Sequence, residues 1–374
     1  MKVMKLFLSI FITIIFFLNP VFSCSQNNEN KNYNQQTFTE SNILIGPYLQ
    51  NPSTSSITII WKTYEKTSEN IVKYGLTTNC DTTIDDNTFT DFHKFTLYKL
   101  DCDTKYYYRV ISDGFTSDLY SFTTKPKENE EIKFITYGDT RGVWDNWYNA
   151  SVVADAIEKE KPLFVLHTGD LVHNGNNKEE WIDFFNASDF IHNSTLYPVL
   201  GNHEYYGEPY SEYFPELGNG YWYSFDYSGV HIIGLDSNVI NVFNLKQITW
   251  LIKDLKQNKD KIKVVMFHHP PYSSGRHGSS YHLRFIWGPI LQIFNVQIVF
   301  NGHDHSYEHG IVRNTHYIVS GGGGAPLYDT GDNWWTEYSE KTYHYCLMTF
   351  NEDLLTFESK KPDGAIIDSF QIEI

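Results

Sequence analysis

Between residues 41 and 125, apolar and polar residues alternate over short runs separated by polar turns such as NPSTSS and SDGFTSD. Alternation with a period of two is typical of half-buried strands. The runs predicted as strands are ITIIW, IVKYG, KFTLYKL, KYYYRVIS and LYSFTT. Their regular spacing predicts a small antiparallel β-sandwich, and no motif with evident chemistry falls within it.

Beyond a charged, proline-containing boundary at 125–131, apolar strands alternate with helical stretches. The predicted strands are IKFITYGD, PLFVLHTGD, LYPVLGNH, VHIIGLD, KVVMFHH, VQIVFNGHDH and HYIVSGG. This alternation predicts an α/β domain in αββα layers, and in such folds ligands gather at the carboxyl ends of strands. We therefore expect a β-sandwich at 41–125 and an α/β domain at 126–374.

The clearest predicted helix runs from Asn244 to Gln257. Its apolar residues share one face: Leu245, Ile248, Leu251, Ile252 and Leu255. Asn244 at the helix start and Gln247 three residues later predict a capping box, in which each side chain bonds the backbone N–H of the other residue.

The first 40 residues differ in character from the rest of the chain. Lys2 and Lys5 precede an apolar run at 6–18, which is shorter than the roughly 20 residues of a membrane-spanning helix. Such a run is typical of a signal peptide, expected here at 1–23. The polar stretch at 24–40 predicts a flexible, solvated tether, so we expect the protein to be exported.

Two fates of the signal sequence stay open. The sequence VFSC, ending at Cys24, resembles a loose bacterial lipobox, in which Cys24 is lipidated and anchors the protein at the cell envelope. Ordinary cleavage after Ser23 would instead give a periplasmic or secreted protein. A membrane is an expected partner only through the lipid anchor.

Composition and charge narrow the class of protein. The 374 residues are 41% hydrophobic and 17% aromatic, which suits a globular chain with two buried cores. The formal net charge of −16 becomes −18 (−16 − 2) when Lys2 and Lys5 leave with the signal. So acidic a chain has no basic patch that would release counterions from nucleic acid, which is therefore not an expected partner. A small anionic substrate would need a local positive feature.

Cysteine usage decides little. Beyond Cys24 the chain has Cys80, Cys102 and Cys346, so at most one internal disulfide can form. Cys80 and Cys102 are the only pair within one predicted domain, and both a disulfide and two free thiols stay open. Cys346 lies in the apolar strand YHYCLMTF and is expected to be a buried thiol.

Polar clusters follow five predicted strands of the α/β domain, at the point where each strand ends. They are YGDTRG, GDLVHNG, GNHE, FHHPP and NGHDH. Carboxylate, carboxamide and imidazole groups together suit borderline divalent ions or iron, and the glycine ahead of the polar residues in four clusters would let the backbone turn sharply. A single cluster is most often a cap or a turn. Five at the same end of the strands predict a metal centre.

The ordered series GD, GDxx, GNHE, VxxH and GHxH resembles that of the calcineurin-like metallophosphoesterases, and within them the purple acid phosphatases, from about residue 132 to the C-terminus. The region ILIGPYLQNPSTSSITIIW is similar to the fibronectin type III-like domain that precedes catalysis in that group. The resemblance implies a fibronectin type III-like β-sandwich followed by a metallophosphoesterase domain, and a hydrolase acting on phosphoric ester bonds.

The resemblance also implies a binuclear centre of iron, zinc or manganese. Carried over residue by residue, its ligands are Asp139 and His305 for the first metal, Asn202, His268 and His303 for the second metal, and the bridging Asp170 between them. A shared carboxylate makes physical sense, because two dications about 3.5 Å apart repel each other. The metals would lower the pKa of a bound water so that hydroxide attacks, and they would supply the positive charge that an acidic chain lacks.

Further roles follow from the same resemblance. His203 would stabilise the transition state and protonate the leaving alkoxide, with Glu204 orienting it; a third nitrogen ligand is the alternative. His277 falls where the family places a substrate-contacting histidine, although it would otherwise be a loop bystander. Arg141 stands where the wider superfamily often has a ligand histidine. Because a guanidinium does not bind metal, Arg141 is expected either to contact phosphate or to form a structural ion pair.

His173 departs from the family pattern. Purple acid phosphatases carry at this place a tyrosine whose phenolate binds iron(III) and gives the purple colour. A neutral imidazole favours a divalent ion, so we expect His173 to be a ligand of the same metal as Asp139 and His305; the alternative is a position beside the ligands or at the surface. The protein is then expected to be colourless and to be most active nearer neutral pH than the family name suggests.

Other features weigh less. We expect His269 to be an oriented neighbour of His268, Asp304 to point away from the metals, and the glycines at 321–324 to form a turn rather than a phosphate loop. Four tryptophans would either wall the pocket or belong to the core, and both possibilities stay open: Trp144, Trp147, Trp334 and Trp335.

The sequence thus predicts an exported, metal-dependent hydrolase of phosphate monoesters whose substrate is a small phosphorylated molecule. A phosphodiesterase or nucleotidase with the same site is the runner-up, because only the shape of the pocket separates these activities. A catalytically inactive surface binding protein would be expected to lack ligands, yet apart from position 173 the metal-binding positions are filled.

Overall fold

The computed structural model describes residues 42–128, 130–204, 207–352 and 354–373. The predicted signal peptide, the tether and Cys24 lie outside these residues. Within them, no helix has both the length and the apolar character that crossing a membrane requires.

The first part of the described chain is all β. Its strands are β1 (Ile43–Gln50), β2 (Ser56–Thr67), β3 (Asn70–Gly75), β4 (Thr82–Asp86), β5 (Thr90–Tyr98), β6 (Lys105–Ser112), β7 (Phe115–Thr116) and β8 (Tyr120–Thr123). They form two sheets, β1-β2-β5 and β4-β3-β6-β7, with β8 paired to β6. Trp61, Val72 and Tyr108 are buried between the sheets. The predicted β-sandwich is therefore confirmed; β4 was not predicted because its residues, TTIDD, are mostly exposed and polar.

The cysteines of the described chain are free thiols: Cys80, Cys102 and Cys346. The open question about Cys80 and Cys102 is thereby answered, because no disulfide joins them. Cys346 lies fully buried in a sheet of the second domain, and burial raises the pKa of its thiol to about 12. The prediction of a buried, inert thiol at Cys346 is confirmed.

The α/β part follows. Its strands are β9 (Ile132–Tyr137), β10 (Phe164–His167), β11 (Thr195–Pro198), β12 (Tyr223–Tyr227), β13 (Val230–Gly234), β14 (Ile262–Met266), β15 (Ile298–Asn301), β16 (Tyr307–Val312), β17 (Thr315–Ser320), β18 (Thr336–Glu340), β19 (Tyr345–Asn351), β20 (Leu354–Lys360) and β21 (Ile366–Glu373). Its helices are α1 (Tyr148–Glu160), α2 (Lys178–Asn186), α3 (Glu208–Tyr213), α4 (Val239–Val242), α5 (Leu245–Gln257) and α6 (Tyr281–Ile293).

These strands build two sheets, one with the order β11-β10-β9-β19-β20-β21 and one with the order β12-β13-β14-β15-β17-β16-β18. In the first sheet β9, β10 and β11 run parallel, and in the second sheet β13, β14, β15 and β17 do. Successive residues of β14 face opposite sides: Val264 joins the core shared with the first sheet, whereas Val265 packs with Leu251 of α5 and Trp287 of α6. This alternation confirms the predicted layers of helices and sheets.

Helix α5 forms where the sequence predicts it, but its N-terminal cap and its apolar face differ from the prediction. Asn244 caps the helix, but its side chain accepts a hydrogen bond from the backbone N–H of Lys246 and not, as the capping box predicted, from that of Gln247. The other half of the capping box is wrong: Gln247 is buried, and its side chain bonds the backbone N–H and C=O of Asp236. The apolar face is also narrower than predicted, since Leu245 is 76% exposed.

His231 on β13 lies between two carboxylates. Its Nδ1 is 2.7 Å from Asp226 Oδ1 and its Nε2 is 2.6 Å from Asp254 Oδ2. Burial alone would lower the pKa of His231, but the two carboxylates outweigh burial and raise that pKa above its ordinary value. Lys261 also contacts Asp226, at 2.8 Å, and offsets part of its charge.

We expect the replacement His231→Gln to destabilise the protein more at pH 6 than at pH 9. A raised folded-state pKa contributes stability that is fully present below the ordinary pKa of about 6.5 and is lost as pH rises through the folded value. The difference in free energy of unfolding between wild type and variant should therefore shrink by roughly 1–2 kcal/mol across this range, the scale of a hydrogen bond to a charged group. Urea unfolding at both pH values measures it. An equal loss at pH 6 and pH 9 would mean that His231 is neutral in the folded protein.

Candidate metal centre

The predicted ligand residues follow the carboxyl ends of parallel strands in both sheets. Asp139, Asp170 and Asn202 come after β9, β10 and β11 of the first sheet. His268 follows β14 and His303 follows β15 of the second sheet. Because the two sheets pack face to face, these strand ends meet at one edge of the domain.

Ligand residues themselves make the turns at the strand ends. Asp139 has φ 57°, Asp170 has φ 57° and His303 has φ 73°, all in the left-handed region. The expectation that the preceding glycines make these turns is therefore wrong, except at Gly169, where φ is 94°. Gly201 is needed for space: a Cβ there would lie 2.1 Å from Asp170 Oδ1. Left-handed backbone at a residue other than glycine costs of order 1–3 kcal/mol and is typical of functional sites.

Four side chains form a tight group around the imidazole of His268, and we call it the four-residue cluster: Asp170, Asn202, His268 and His303. His268 Nε2 lies 3.1 Å from Asn202 Oδ1 and 3.3 Å from His303 Nδ1. The same atom lies 3.4 Å from Asp170 Oδ1. Atoms bound to one cation at about 2.1 Å stand roughly 3.0–3.4 Å apart, so each of these three distances fits His268 and a neighbour as ligands of the same ion.

The tautomer of His268 points to the same conclusion. Its Nδ1 donates to the backbone O of Thr168 at 2.9 Å, which leaves a lone pair on Nε2 when the ring is neutral. Burial alone would lower the pKa of His268, yet Asp170 raises it to about 9. The pocket therefore stabilises positive charge at Nε2, and a bound cation supplies that charge as well as a proton does. The cluster fits a metal ion.

Asp139 and His305 also converge, but Arg141 intervenes. Asp139 Oδ1 lies 3.5 Å from His305 Nε2 and has no hydrogen-bond partner within the described chain. His305 Nδ1 donates to the backbone O of Pro326 at 2.8 Å, so Nε2 carries the only lone pair of the ring. That lone pair faces the guanidinium of Arg141, which is hydrogen-bonded to it. Burial and the adjoining guanidinium lower the pKa of His305 to about 3.

The guanidinium of Arg141 touches three groups of the site. One terminal nitrogen contacts His305 and the other contacts Nε2 of His203, while Nε lies 3.4 Å from Asp170 Oδ2. The Arg141 side chain is almost completely buried. Arg141 therefore forms a structural ion pair with Asp170, one of the two roles that the sequence left open.

His203 is held by backbone rather than by Glu204. His203 Nδ1 donates to the backbone O of His173 at 2.6 Å, so Nε2 is the acceptor that faces Arg141. Burial lowers the pKa of His203. Glu204, expected to orient His203, instead accepts hydrogen bonds from the backbone N–H groups of Gly201 and Asp170. Glu204 thus fixes the turn that carries Asp170.

His173 lies beside the site. Its ring is 4.9 Å from the ring of His203 and 5.0 Å from that of Trp144. Its Nδ1 is buried without a hydrogen-bond partner in the described part of the chain, and the metal-binding groups found there do not include it. The prediction that His173 binds the same metal as Asp139 and His305 stays a prediction.

The loop 273–277 forms the opposite side of the site. Asp304 accepts hydrogen bonds from the Ser273 hydroxyl and from the backbone N–H of His277, so it points away from the metals, as expected. The His277 ring lies 4.4 Å from that of His303, beside the cluster, and its contact with a substrate stays a prediction. Tyr328, which the sequence gave no reason to single out, stacks on His305 with ring centroids 4.1 Å apart.

His269 is closer to the ligands than expected. Its ring lies 4.6 Å from that of His303, and His268, His269 and His303 offer ligand atoms that all lie within 4.8 Å of one another. The Ser237 hydroxyl lies 2.9 Å from His269 Nδ1, which leaves Nε2 to face the cluster. His269 is thus a further candidate ligand that reasoning from sequence ranked too low.

The tryptophans divide between the site and the core. Trp144 is half exposed and lies over the Arg141 guanidinium at 5.5 Å, so it walls the site. Trp147 and Trp335 are buried in the cores, and Trp334 is exposed. The glycines at 321–324 pack against the first strand end, where the N–H of Gly323 donates to the backbone O of Gly138, and they form a turn as expected.

Two sheets packed face to face, with carboxylate, carboxamide and imidazole at their strand ends, define a metallohydrolase with layered α/β architecture. The chain belongs to the calcineurin-like phosphoesterase family, which it matches over residues 89–307, more than half of its length. Residues 45–124 match the N-terminal domain of purple acid phosphatases. Members of the family act on phosphoric esters, and its fold implies a binuclear metal centre at these strand ends.

Similarity to individual proteins agrees with this assignment. The chain is 28% identical over 323 residues to phosphoenolpyruvate phosphatase of Allium cepa, covering 73% of this chain and 64% of that protein. It is 28% identical over 272 residues to purple acid phosphatase 1 of Ipomoea batatas, covering 63% and 56%. A purple acid phosphatase from yellow lupin (Lupinus luteus) seeds has the same fold, with a TM-score of 0.73 at 19% identity over 87% of this chain and 74% of that chain. The chain spans about half to two thirds of the length of the curated relatives it matches.

Proposed function

We propose that the protein is a metal-dependent phosphatase that hydrolyses phosphate monoesters. The observation that carries this proposal is the four-residue cluster, in which three candidate ligand atoms lie 3.1–3.4 Å from His268 Nε2. A guanidinium and an imidazole that is not part of the cluster adjoin it, at Arg141 and His203. Together these groups could neutralise the charge of a bound phosphate and transfer a proton to its leaving oxygen.

The four-residue cluster would hold a metal ion, and when bound the ion lowers the pKa of water and neutralises phosphate oxygens. The described residues around it do the remaining work. His268 is fixed by its hydrogen bond to Thr168, so its Nε2 cannot turn away from the cluster. Asp170 contributes one oxygen to the cluster, and its other oxygen faces Arg141.

Arg141, His203 and His277 would act on the substrate. The two terminal nitrogens of Arg141 are oriented by His203 and His305, and a phosphate that displaces one of these contacts would receive N–H donors from a preorganised fork. His203 presents Nε2 on the same side, where it can hold a proton near the leaving oxygen. His277, exposed on its loop, would contact the ester from the opposite side.

The relatives support a monoesterase. Phosphoenolpyruvate phosphatase of Allium cepa and purple acid phosphatase 1 of Ipomoea batatas are named for the removal of phosphate from esters. For this chain we therefore propose an activity of the acid phosphatase type and assign no particular physiological substrate. The imidazole of His173, where the family pattern has the phenol of tyrosine, favours divalent metals and an optimum nearer neutral pH in this proposal.

One observation favours a nucleotidase as the second candidate. A cleft of about 640 Å³ lies beside Tyr328 and is lined by Arg276 and Lys341. The Arg276 guanidinium lies over the Tyr328 ring at 4.9 Å, and Tyr328 stacks on His305 of the site. Lys341 is paired with Asp329 at 2.8 Å, so the positive charge left in the cleft is that of Arg276. This guanidinium and an aromatic ring next to the centre would suit an ester that carries further phosphates.

We expect phosphate release from an aryl phosphate monoester that stops after chelation and returns with zinc, iron or manganese. The assay compares kcat/KM for this monoester, for a bis(aryl) phosphate diester and for nucleoside mono- and triphosphates. The monoesterase proposal predicts the highest value for monoesters, and the nucleotidase alternative predicts a preference for triphosphates that falls in an Arg276→Ala variant. Turnover that a chelator does not affect, or no turnover with any of the three metals, would overturn the proposal.

A further inference from the structure

Arg141 occupies the side of the centre where the first metal of the family's pair would be bound. We propose that the Arg141 guanidinium replaces that metal as the second cation, so that the chain binds one metal ion tightly, at the four-residue cluster. The role of the two cations in neutralising a phosphate ester rests on the proposed function. The test of the inference, which counts metal ions, does not depend on activity.

The lone pairs at the first position carry the argument. His305 donates through Nδ1 to the backbone O of Pro326, so Nε2 is its only possible ligand atom. Arg141 donates an N–H to that atom. One lone pair cannot both accept this hydrogen bond and bind a metal. The His173 ring packs beside His203 and Trp144 and belongs to none of the metal-binding groups in the described chain. With Arg141 in place, this leaves Asp139 Oδ1 and Asp170 Oδ2 as ligands, fewer than the three or four protein ligands of a stable site.

The balance of charges at the centre also favours one metal ion over two. The carboxylates between the two positions are Asp139 and Asp170, and Arg141 Nε already lies 3.4 Å from Asp170 Oδ2. One dication and the guanidinium bring three positive charges to two negative ones, whereas two dications and the guanidinium bring five. Since all these groups are buried, the repulsion is poorly screened and disfavours the second dication.

Packing around the Arg141 side chain fixes the position of its guanidinium. The Trp144 ring covers its guanidinium at 5.5 Å, and the edge of the His173 ring packs against Trp144. The chain turns immediately after Arg141, at Gly142, where a Cβ would lie 2.6 Å from the Trp147 backbone. The side chain is 5% exposed, so it is part of a packed wall and not a surface residue that swings aside when a metal arrives.

One observation favours the opposing arrangement, in which a first metal is bound. Asp139 Oδ1 is buried and has no hydrogen-bond partner among the described residues, and an ion at the first position would give it one. Under the one-metal proposal the Asp139 carboxylate adjoins the cluster, because one of its oxygens and a ligand atom from each of Asp170 and His268 lie within 4.8 Å of one another. The two arrangements differ in the number of ions bound.

The experiment counts the metal. Full-length protein is loaded separately with zinc and with manganese, passed through a gel-filtration column in metal-free buffer, and analysed for metal by mass spectrometry. We expect one ion per chain. Two retained ions, or none, would overturn the proposal.

Substitutions at Arg141 sharpen the count. Arg141→His places a neutral lone pair where the guanidinium was and frees His305, so this variant should retain two ions per chain. Arg141→Lys keeps a positive charge and should stay at one, which makes it the matched control. His173→Ala should also stay at one. If wild type and Arg141→His both retain two ions, Arg141 does not replace a metal. The same holds if wild type retains a second ion that His173→Ala loses.

The outcomes separate this inference from the proposed function. A protein that retains one ion but hydrolyses no phosphate ester contradicts the function and leaves the inference standing. An active phosphatase that retains two ions contradicts the inference alone. Circular dichroism and thermal unfolding of each variant show that the count refers to folded protein.

Discussion

Replacing His268 by alanine is expected to remove the bound metal and to lower kcat/KM for a phosphate monoester by about 10³- to 10⁴-fold. His268 Nε2 is the centre of the four-residue cluster, within 3.4 Å of a ligand atom from each of the other three residues. A bound cation contributes several kcal/mol of charge stabilisation, and each 1.36 kcal/mol is about a factor of ten in rate. Steady-state kinetics and metal analysis of the purified variant measure both effects.

The matched control is His93→Ala, which also removes a buried histidine. His93 lies in the sandwich, where Nε2 is 3.1 Å from the Thr63 hydroxyl and the ring stacks on Trp61. This variant should lose stability but keep its metal and its kcat/KM. Equal loss of activity in His268→Ala and His93→Ala would mean that the first effect is loss of folding and not loss of a ligand.

Replacing His203 by alanine is expected to lower kcat by roughly 10²- to 10⁴-fold with the metal content unchanged. Its Nδ1 is held by the backbone O of His173, and its Nε2 is hydrogen-bonded to Arg141 and lies 3.9 Å from Asp170 Oδ2, so the ring is positioned for proton transfer and charge stabilisation. A general acid–base group acts in the transition state, so KM should change far less than kcat. Kinetics and metal analysis on the same preparation separate the two effects.

A variant that keeps the ring shape but cannot take up a proton tests the same point. His203→Phe should be as slow as His203→Ala if the imidazole transfers a proton. If either variant instead loses the metal ion, His203 is the nitrogen ligand that the sequence left as an alternative. A pH profile of kcat whose titration disappears in both variants would attribute that titration to His203.

The architecture could be predicted because periodicity determines it. β5 and β6 alternate between buried and more exposed residues because one face of each strand is buried. β14 and β15 are buried along their whole length because both of their faces are covered. The cluster residues could be predicted for the same reason: each follows a strand, and parallel strands bring their carboxyl ends to one edge.

Side-chain contacts across the site could not be predicted. The direction of the Arg141 fork depends on Trp144 and on His305, which is 164 residues further along the chain. Tyr328 reaches His305 from a loop without periodicity or motif. Glu204 was expected to orient its neighbour, yet its carboxylate turns back and accepts hydrogen bonds from the backbone N–H groups of Asp170 and Leu171.

Predictions from short sequence motifs were also wrong where tertiary contacts determined the conformation. Gln247 satisfies the capping-box pattern, but the backbone of Asp236 offers it a buried donor and acceptor. The glycines of the clusters looked like turn residues, whereas at Gly201 and Gly302 the reason for glycine is the close approach of carboxylate oxygens, which a Cβ would meet at 2.1 and 2.3 Å. Spacing alone does not distinguish these two uses of glycine.

The most direct test of a metal ion at the four-residue cluster is an anomalous difference map from crystals of zinc-loaded protein, with data collected at the zinc edge. We expect the strongest peak about 2.0–2.2 Å from Asp170 Oδ1, Asn202 Oδ1, His268 Nε2 and His303 Nδ1. A map whose strongest peak lies elsewhere, with no density among these four atoms, would contradict the assignment.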